Sequence, residues 1–149
     1  MSYRRGAYAI VVNQDGQVLL VRPKGYAKGQ WTFPGGGIDV GENEQQAAER
    51  ELFEETGLSS NELYDAFVTS QTAVYAFPKP MRFFGTLYTG QAKRHVVFRT
   101  RRTAEEPLTL NDEIDEARWV LLAEIERYLK FPNQYELAVR ALREAGAAL

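Results

Sequence analysis

The sequence predicts a mixed α/β fold, and three observations lead there. Short runs of β-branched and aromatic residues alternate with segments of helical period. Turn residues punctuate them at short intervals, from Asn13-Gln14-Asp15-Gly16 to Pro34-Gly35-Gly36-Gly37 and Gly57. The chain has 149 residues, 44% of them hydrophobic, which suits one domain, residues 1–149, with a core of ordinary size.

The elements follow in order. Ala7–Val12 and Val18–Arg22 read as two strands, and the Asn-Gln-Asp-Gly turn between them makes them a hairpin. Trp31-Thr32-Phe33 is an extended lead into the glycine run. Residues 43–56 read as a helix. Asn43 can cap it, Gln46 three residues on completes a capping box, and Gly57 stops it. Segments 63–77, 83–89 and 95–100 are rich in β-formers, and Trp119–Leu122 is a further short strand. Helices are expected near 123–130 and 133–146, separated by Pro132.

Composition narrows the chemistry. There is no cysteine and a single histidine, His95. That excludes disulfide scaffolds, thiolate metal sites and cysteine nucleophiles, and nearly excludes a Ser-His-Asp triad. Carboxylates, hydroxyls, Lys, Arg and backbone groups remain, an inventory suited to Mg²⁺ or Mn²⁺ held by oxygen. The absence of cysteine points to the cytosol. The apolar stretch Ala7–Val12 is too short to span a bilayer, so no membrane association is expected.

The net charge of −2 hides a strong pattern: +4 over residues 1–38, −8 over 39–65, +7 over 66–104 and −5 over 105–149. An acidic block between basic blocks fits a metal site beside an anion site, and equally an ordinary solvated surface. On the helix at 43–56, Glu51 stands at i,i+3 to Glu54 and i,i+4 to Glu55, so all three carboxylates share a face. A divalent cation would relieve their repulsion, although a solvated acidic face gives the same spacing. Arg50, four residues before Glu54, can brace a carboxylate. Gly35-Gly36-Gly37, just before the helix, lets backbone approach a ligand or metal.

The segment reads G-x5-E-x7-R-E-U-x-E-E-x-G-U, with U a large aliphatic residue. Its fixed positions are Gly36, Glu42, Arg50, Glu51, Leu52, Glu54, Glu55, Gly57 and Leu58. This resembles the Nudix box of the Nudix hydrolase superfamily. Asp39 stands where many members carry Glu. The resemblance implies an α/β/α sandwich on a mixed sheet, with the box as loop–helix–loop. It implies hydrolysis of a nucleoside diphosphate linked to a further group. By position, Glu51, Glu54, Glu55 and the Gly35 carbonyl would ligate one to three Mg²⁺ or Mn²⁺ ions, Arg50 would orient Glu54 or its neighbours, and Glu42 would support the junction of loop and helix. The proton acceptor would be Glu55 or Glu54, with Glu113 as the alternative from a downstream loop.

The box does not fix the substrate. Tyr75, 17 residues after Leu58, resembles the tyrosine of dinucleoside polyphosphate hydrolases. Ala73 stands where a proline would have suggested ADP-ribose. The stretches 75–80 and 90–98 resemble that group and also the bacterial RNA pyrophosphohydrolases, although the latter often carry Gln where this chain has Gly35. Arg22, Lys24, Lys79, Arg82 and Lys93 are candidate phosphate contacts, and Tyr75 can stack a base or fill the core. His95 reads as a packed or surface histidine. The expectation is a nucleotide pyrophosphohydrolase, monomer or homodimer, acting on a dinucleoside polyphosphate or a 5′-triphosphate RNA end. The alternatives are removal of noncanonical nucleoside triphosphates and a binding module without turnover.

Overall fold

The computed structural model describes residues 2–147. Its strands are β1 (Tyr3–Val12), β2 (Gln17–Pro23), β3 (Gly35–Gly37), β4 (Leu63–Phe83), β5 (Thr86–Thr100) and β6 (Ile114–Leu121); its helices are α1 (Glu44–Thr56) and α2 (Gln134–Glu144). They form one sheet in the order β4-β5-β1-β2-β6, with β3 added against β1. The β1–β5 pair is parallel and the others antiparallel, so the sheet is mixed as expected.

Helices cover both faces. Ala7, Ala9 and Val11 of β1, with Leu19, Val96 and Phe98, pack against Ala47, Ala48 and Leu52 of α1. Ile10, Val12, Val18, Leu20 and Val97 pack on the other side against Ala138, Ala141 and Leu142 of α2. A central strand buried on both faces must be continuously apolar, which is why 7–12 carries no alternation. No helix among the described residues is long and apolar enough to cross a membrane.

The first hairpin forms as predicted. Asn13 Oδ1 accepts from the amides of Asp15 and Gln17, both at 3.0 Å, and Gly16 takes a φ of 72°. Beyond the Val12–Val18 pair the two strands splay, because the chain from Thr32 to Gly37 wedges between them. Val21 and Thr32 exchange backbone bonds, the Ala9 amide donates to Pro34 O at 2.8 Å, and Gly35–Gly37 run antiparallel to Gly6–Tyr8. The glycine run is therefore a strand that delivers the chain to α1.

Other boundaries move for tertiary reasons. Segment 83–89 is the end of β4, a tip at Phe84-Gly85 and the start of β5. Strand β5 continues through 90–94, where the sequence shows no alternation, because that stretch pairs in parallel with Tyr3–Ala7. Strand β6 begins at Ile114, five residues before the predicted strand, held by β2. The expected helix at 123–130 is a 3-10 turn, Leu122–Arg127. A bulge at 69–71 of β4 latches α2: Ser70 N and Oγ donate to the Glu144 carboxylate at 2.9 and 2.7 Å.

Candidate active site

Helix α1 is fixed at both ends by its own sequence. Asn43 Oδ1 accepts from the Gln46 amide at 2.8 Å, and Gln46 Oε1 accepts from the Asn43 amide at 3.0 Å. Gly57 closes the helix in the left-handed region at φ 79°, its amide donating to Phe53 O. With Ala47, Ala48 and Leu52 anchored on the sheet, the turn carrying Glu51 and Glu55 lies beside the glycine strand β3. Glu55 is only 5% exposed. A Cβ built on Gly36 would stand 2.5 Å from Glu51 Cδ and Oε1, so only glycine fits there without moving that carboxylate.

Arg50 ties the preceding loop to the helix. Its Nε and Nη2 donate to the two oxygens of Glu42 at 2.7 and 3.0 Å, and Nη2 also donates to Gly37 O at 2.9 Å. Its Nη1 donates to Glu51 Oε1 at 2.8 Å and lies 3.4 Å from Glu54 Oε2. Glu42 Oε1 in turn accepts from the Asp39 amide. The hydrogen bond from Arg50 holds the Glu42 carboxyl below the usual carboxylate range.

Glu55 shows the opposite effect. Burial, then a hydrogen bond and charge repulsion from Glu51, push its carboxyl up to about 9; Lys93 and the Gly35 backbone pull it partly back. The Glu55 carboxyl therefore keeps its proton at neutral pH. Glu54 points outward, its side chain half exposed, toward Arg50. Among the described residues, no group of three acidic or histidine side chains is drawn together as a ready-made metal site. The structure thus brings Glu51 and Glu55 together and leaves Glu54 at the rim.

On the α2 side of the sheet lies a cavity of about 770 Å³. Tyr8, Phe33 and His95 line its sheet side, Tyr75 comes from β4, and Tyr26 and Phe131 pack edge to face at 5.6 Å. Asn133, Gln134, Glu136 and Arg140 supply polar groups from the start of α2. The Lys93 ammonium sits 4.7 Å from the Tyr8 ring centroid and 5.9 Å from that of Tyr75. Lys93, whose charge pulls on the Glu55 carboxyl, thus stands over the Tyr8 ring that lines the cavity. Burial raises the Tyr8 and Tyr75 phenols above their usual range, so both stay neutral. His95 is buried, with Nδ1 3.0 Å from Gln71 O and its ring 5.3 Å from that of Tyr8, a packed histidine.

The remaining predicted residues lie apart. Glu113 is exposed in a loop docked on the end of α1, where the Thr109 amide donates to Thr56 O and the Asn111 amide to Glu55 O. The Lys24 amide donates to Glu113 O, and the Lys24 side chain is exposed. Arg22 is outside the cavity and pairs with Asp115 and Glu116. Lys79 and Arg82 are exposed on the β4–β5 ribbon, and Arg82 donates to Gly85 O at its tip. Sequence reasoning missed Tyr8, Tyr26 and Phe131. Tyr8, between Ala7 and Ala9 in an apolar run, reads as core, and the other two become neighbours only when residues about 100 apart meet.

A three-layer α/β/α sandwich, with helix carboxylates set against a glycine strand, defines the Nudix type of fold. The model of the NUDIX domain matches residues 2–141, and the chain belongs to that family. It is 40% identical over 94 residues to a putative 8-oxo-dGTP diphosphatase of Bacillus subtilis (strain 168), covering 60% of this chain and 58% of that one. It is 32% identical over 124 residues to an RNA pyrophosphohydrolase of Mannheimia succiniciproducens, covering 79% and 61%. The chain thus spans less than two-thirds of the length of these curated relatives. Among solved structures, the Escherichia coli dihydroneopterin triphosphate pyrophosphohydrolase superposes with a TM-score of 0.72 over 97% of this chain and 99% of that one. At 15% identity that likeness is one of fold.

Proposed function

We propose that this protein is a divalent-metal-dependent pyrophosphohydrolase that cleaves a pyrophosphate linkage in a nucleoside diphosphate joined to a further group. The observation that carries the reading is the pair Glu51 and Glu55 beside the glycine strand, Glu51 against Gly36 and Glu55 toward the Gly35 backbone, with Lys93 over the Tyr8 ring that lines the cavity. The donor set suits Mg²⁺ or Mn²⁺: it consists of oxygens alone, and Glu55 holds a proton that a cation would replace. Glu51, Glu54, Glu55 and the Gly35 carbonyl are the residues we assign to hold the metal. When bound, the ion neutralises phosphate oxygens and lowers the pKa of an attacking water. Arg50 fixes Glu51 and, through Glu42, the loop beside it. Lys93 offers positive charge to the phosphate chain, and Tyr75 an aromatic edge to a base. The proton goes to Glu54 or Glu55, with Glu113 as the alternative.

For the substrate we favour a dinucleoside polyphosphate, such as diadenosine tetraphosphate, or the 5′-triphosphate end of RNA. The volume of about 770 Å³ suits a ligand of nucleotide size. The relative that matches 79% of the chain is named an RNA pyrophosphohydrolase. The name of the Bacillus subtilis relative supports a second reading, hydrolysis of noncanonical nucleoside triphosphates. We place the protein in the cytosol, which its lack of cysteine supports. A panel of nucleotides, dinucleoside polyphosphates and triphosphorylated RNA, with Mg²⁺ and Mn²⁺, tests the assignment through kcat/KM and product analysis. Glu54→Gln and Glu55→Gln are expected to lose most of kcat while still binding substrate. Near-normal turnover in both would overturn the metal assignment.

A further inference from the structure

The loops that close the cavity have a second side. Tyr26 and Phe131 line the cavity, whereas their sequence neighbours Lys28 and Lys130 line a separate depression of about 460 Å³. Among the described residues, Arg22, Arg118 and Arg127 bring its cations to five, and Glu116 is the one carboxylate in its lining. Asp115 and Glu124, which pair with Arg22 and Arg127, still leave a positive excess.

Two of these cations are held in place. The Arg118 guanidinium lies 5.2 Å from the Trp31 ring centroid, and donates to Glu116 Oε2 at 2.9 Å and to the Tyr128 hydroxyl at 3.3 Å. The Arg22 side chain is 16% exposed, and its ion pairs are long, 3.6 Å to Asp115 and 3.5 Å to Glu116. Its Nε is buried with no hydrogen-bond partner among the described residues. The depression shares no lining residue with the cavity and none of the α1 carboxylates borders it, so the hydrolytic reading makes no use of it.

We propose that the depression is a phosphate-binding site separate from the hydrolytic one. A concave surface with fixed guanidinium groups and excess positive charge matches phosphate oxygens. The phosphate arrives either on the continuing chain of a single-stranded oligonucleotide or on a free mononucleotide.

The test uses the full chain in EDTA, so that binding is read without turnover. The probe is a 5′-monophosphorylated RNA octanucleotide with a 3′ fluorophore, followed by anisotropy. Lys28, Arg127 and Lys130 are exposed, so the triple change Lys28→Glu, Arg127→Glu, Lys130→Glu leaves the fold and the hydrolysis of mononucleotides intact. It is expected to weaken probe binding at least tenfold. It should also flatten the plot of log affinity against log salt by about 2, from about 0.7 per lost phosphate contact. The charge-conserving triple change Lys28→Arg, Arg127→Lys, Lys130→Arg retains binding. Displacement of the probe by AMP assigns the site to free mononucleotides, and displacement by unlabelled oligonucleotide alone assigns it to the chain. Equal binding by wild type and the charge-reversed variant, or no binding by wild type, overturns the proposal. Since no metal is present, that outcome is distinguishable from failure of the hydrolytic reading.

Discussion

Gly36→Ala separates the cost of building the site from the cost of folding. The added Cβ would stand 2.5 Å from Cδ and Oε1 of Glu51 and 2.8 Å from Oε2, against ordinary contacts of 3.4–4 Å. The Glu51 carboxylate must therefore withdraw by about 1 Å, a displacement that can cost about 100-fold in rate at a reacting centre. It would also leave its 2.8 Å hydrogen bond from Arg50. The yielding group is the end of a flexible side chain, and Gly36 is not in the left-handed region. Stability should then change by no more than about 1 kcal/mol. The assays are kcat/KM on the best substrate of the panel, Mn²⁺ affinity by calorimetry, and Tm in EDTA. The expected result is a large loss of activity and weaker Mn²⁺ binding at nearly constant Tm. Activity within about twofold of wild type, with unchanged Mn²⁺ affinity, would refute the reasoning, because it rests on a 1 Å misplacement being costly.

Arg50→Lys replaces a two-pronged contact with a point charge and loses either Glu42 or Gly37 O, so kcat/KM should fall about 10–100-fold; undiminished turnover would dissociate the loop from the chemistry. Asn43→Ala removes the side-chain acceptor for the Gln46 amide, one half of the capping box, and should lower stability by about 1 kcal/mol, read as a lower denaturation midpoint with an unchanged m-value. In EDTA, stability should fall as pH rises from about 5 to about 9. The folded chain keeps the Glu55 proton up to about 9, while the unfolded chain releases it near 4.5, so the folded state binds more protons throughout that window. Glu55→Gln should flatten this part of the Tm profile, and an unaltered slope would mean that Glu55 is ionised in the metal-free protein.

What was legible in the sequence is what local chemistry controls. Asn43, Gln46 and Gly57 set the bounds of α1 from their own side-chain and backbone preferences. The 3.6-residue repeat put Glu51 and Glu55 on one side of it, and Asn13 to Gly16 made the first turn. The ribbon was harder to read. Residues 90–94 pair with β1 although more than 80 residues separate them, and no local pattern announces that. Arg22, basic and ahead of the box, reads from sequence as a substrate contact. Its strand turns it to the face of Leu20 and Val18, where Asp115, Glu116 and the separate basic depression await it.

The sequence by itself determined the box, its helix and the all-oxygen chemistry of the acidic block, because these depend on residues within about two dozen positions of one another. The tertiary structure decided the rest. It chose which carboxylates meet, since burial against β3 presses Glu51 and Glu55 together while Arg50 keeps Glu54 at the rim. It built the cavity from Tyr8, Tyr26 and Phe131, and it split the basic residues among the cavity, the ribbon and the second depression. Charge is written in the sequence, but the face on which each charge emerges depends on strand pairing, and pairing is settled by the packing of distant segments.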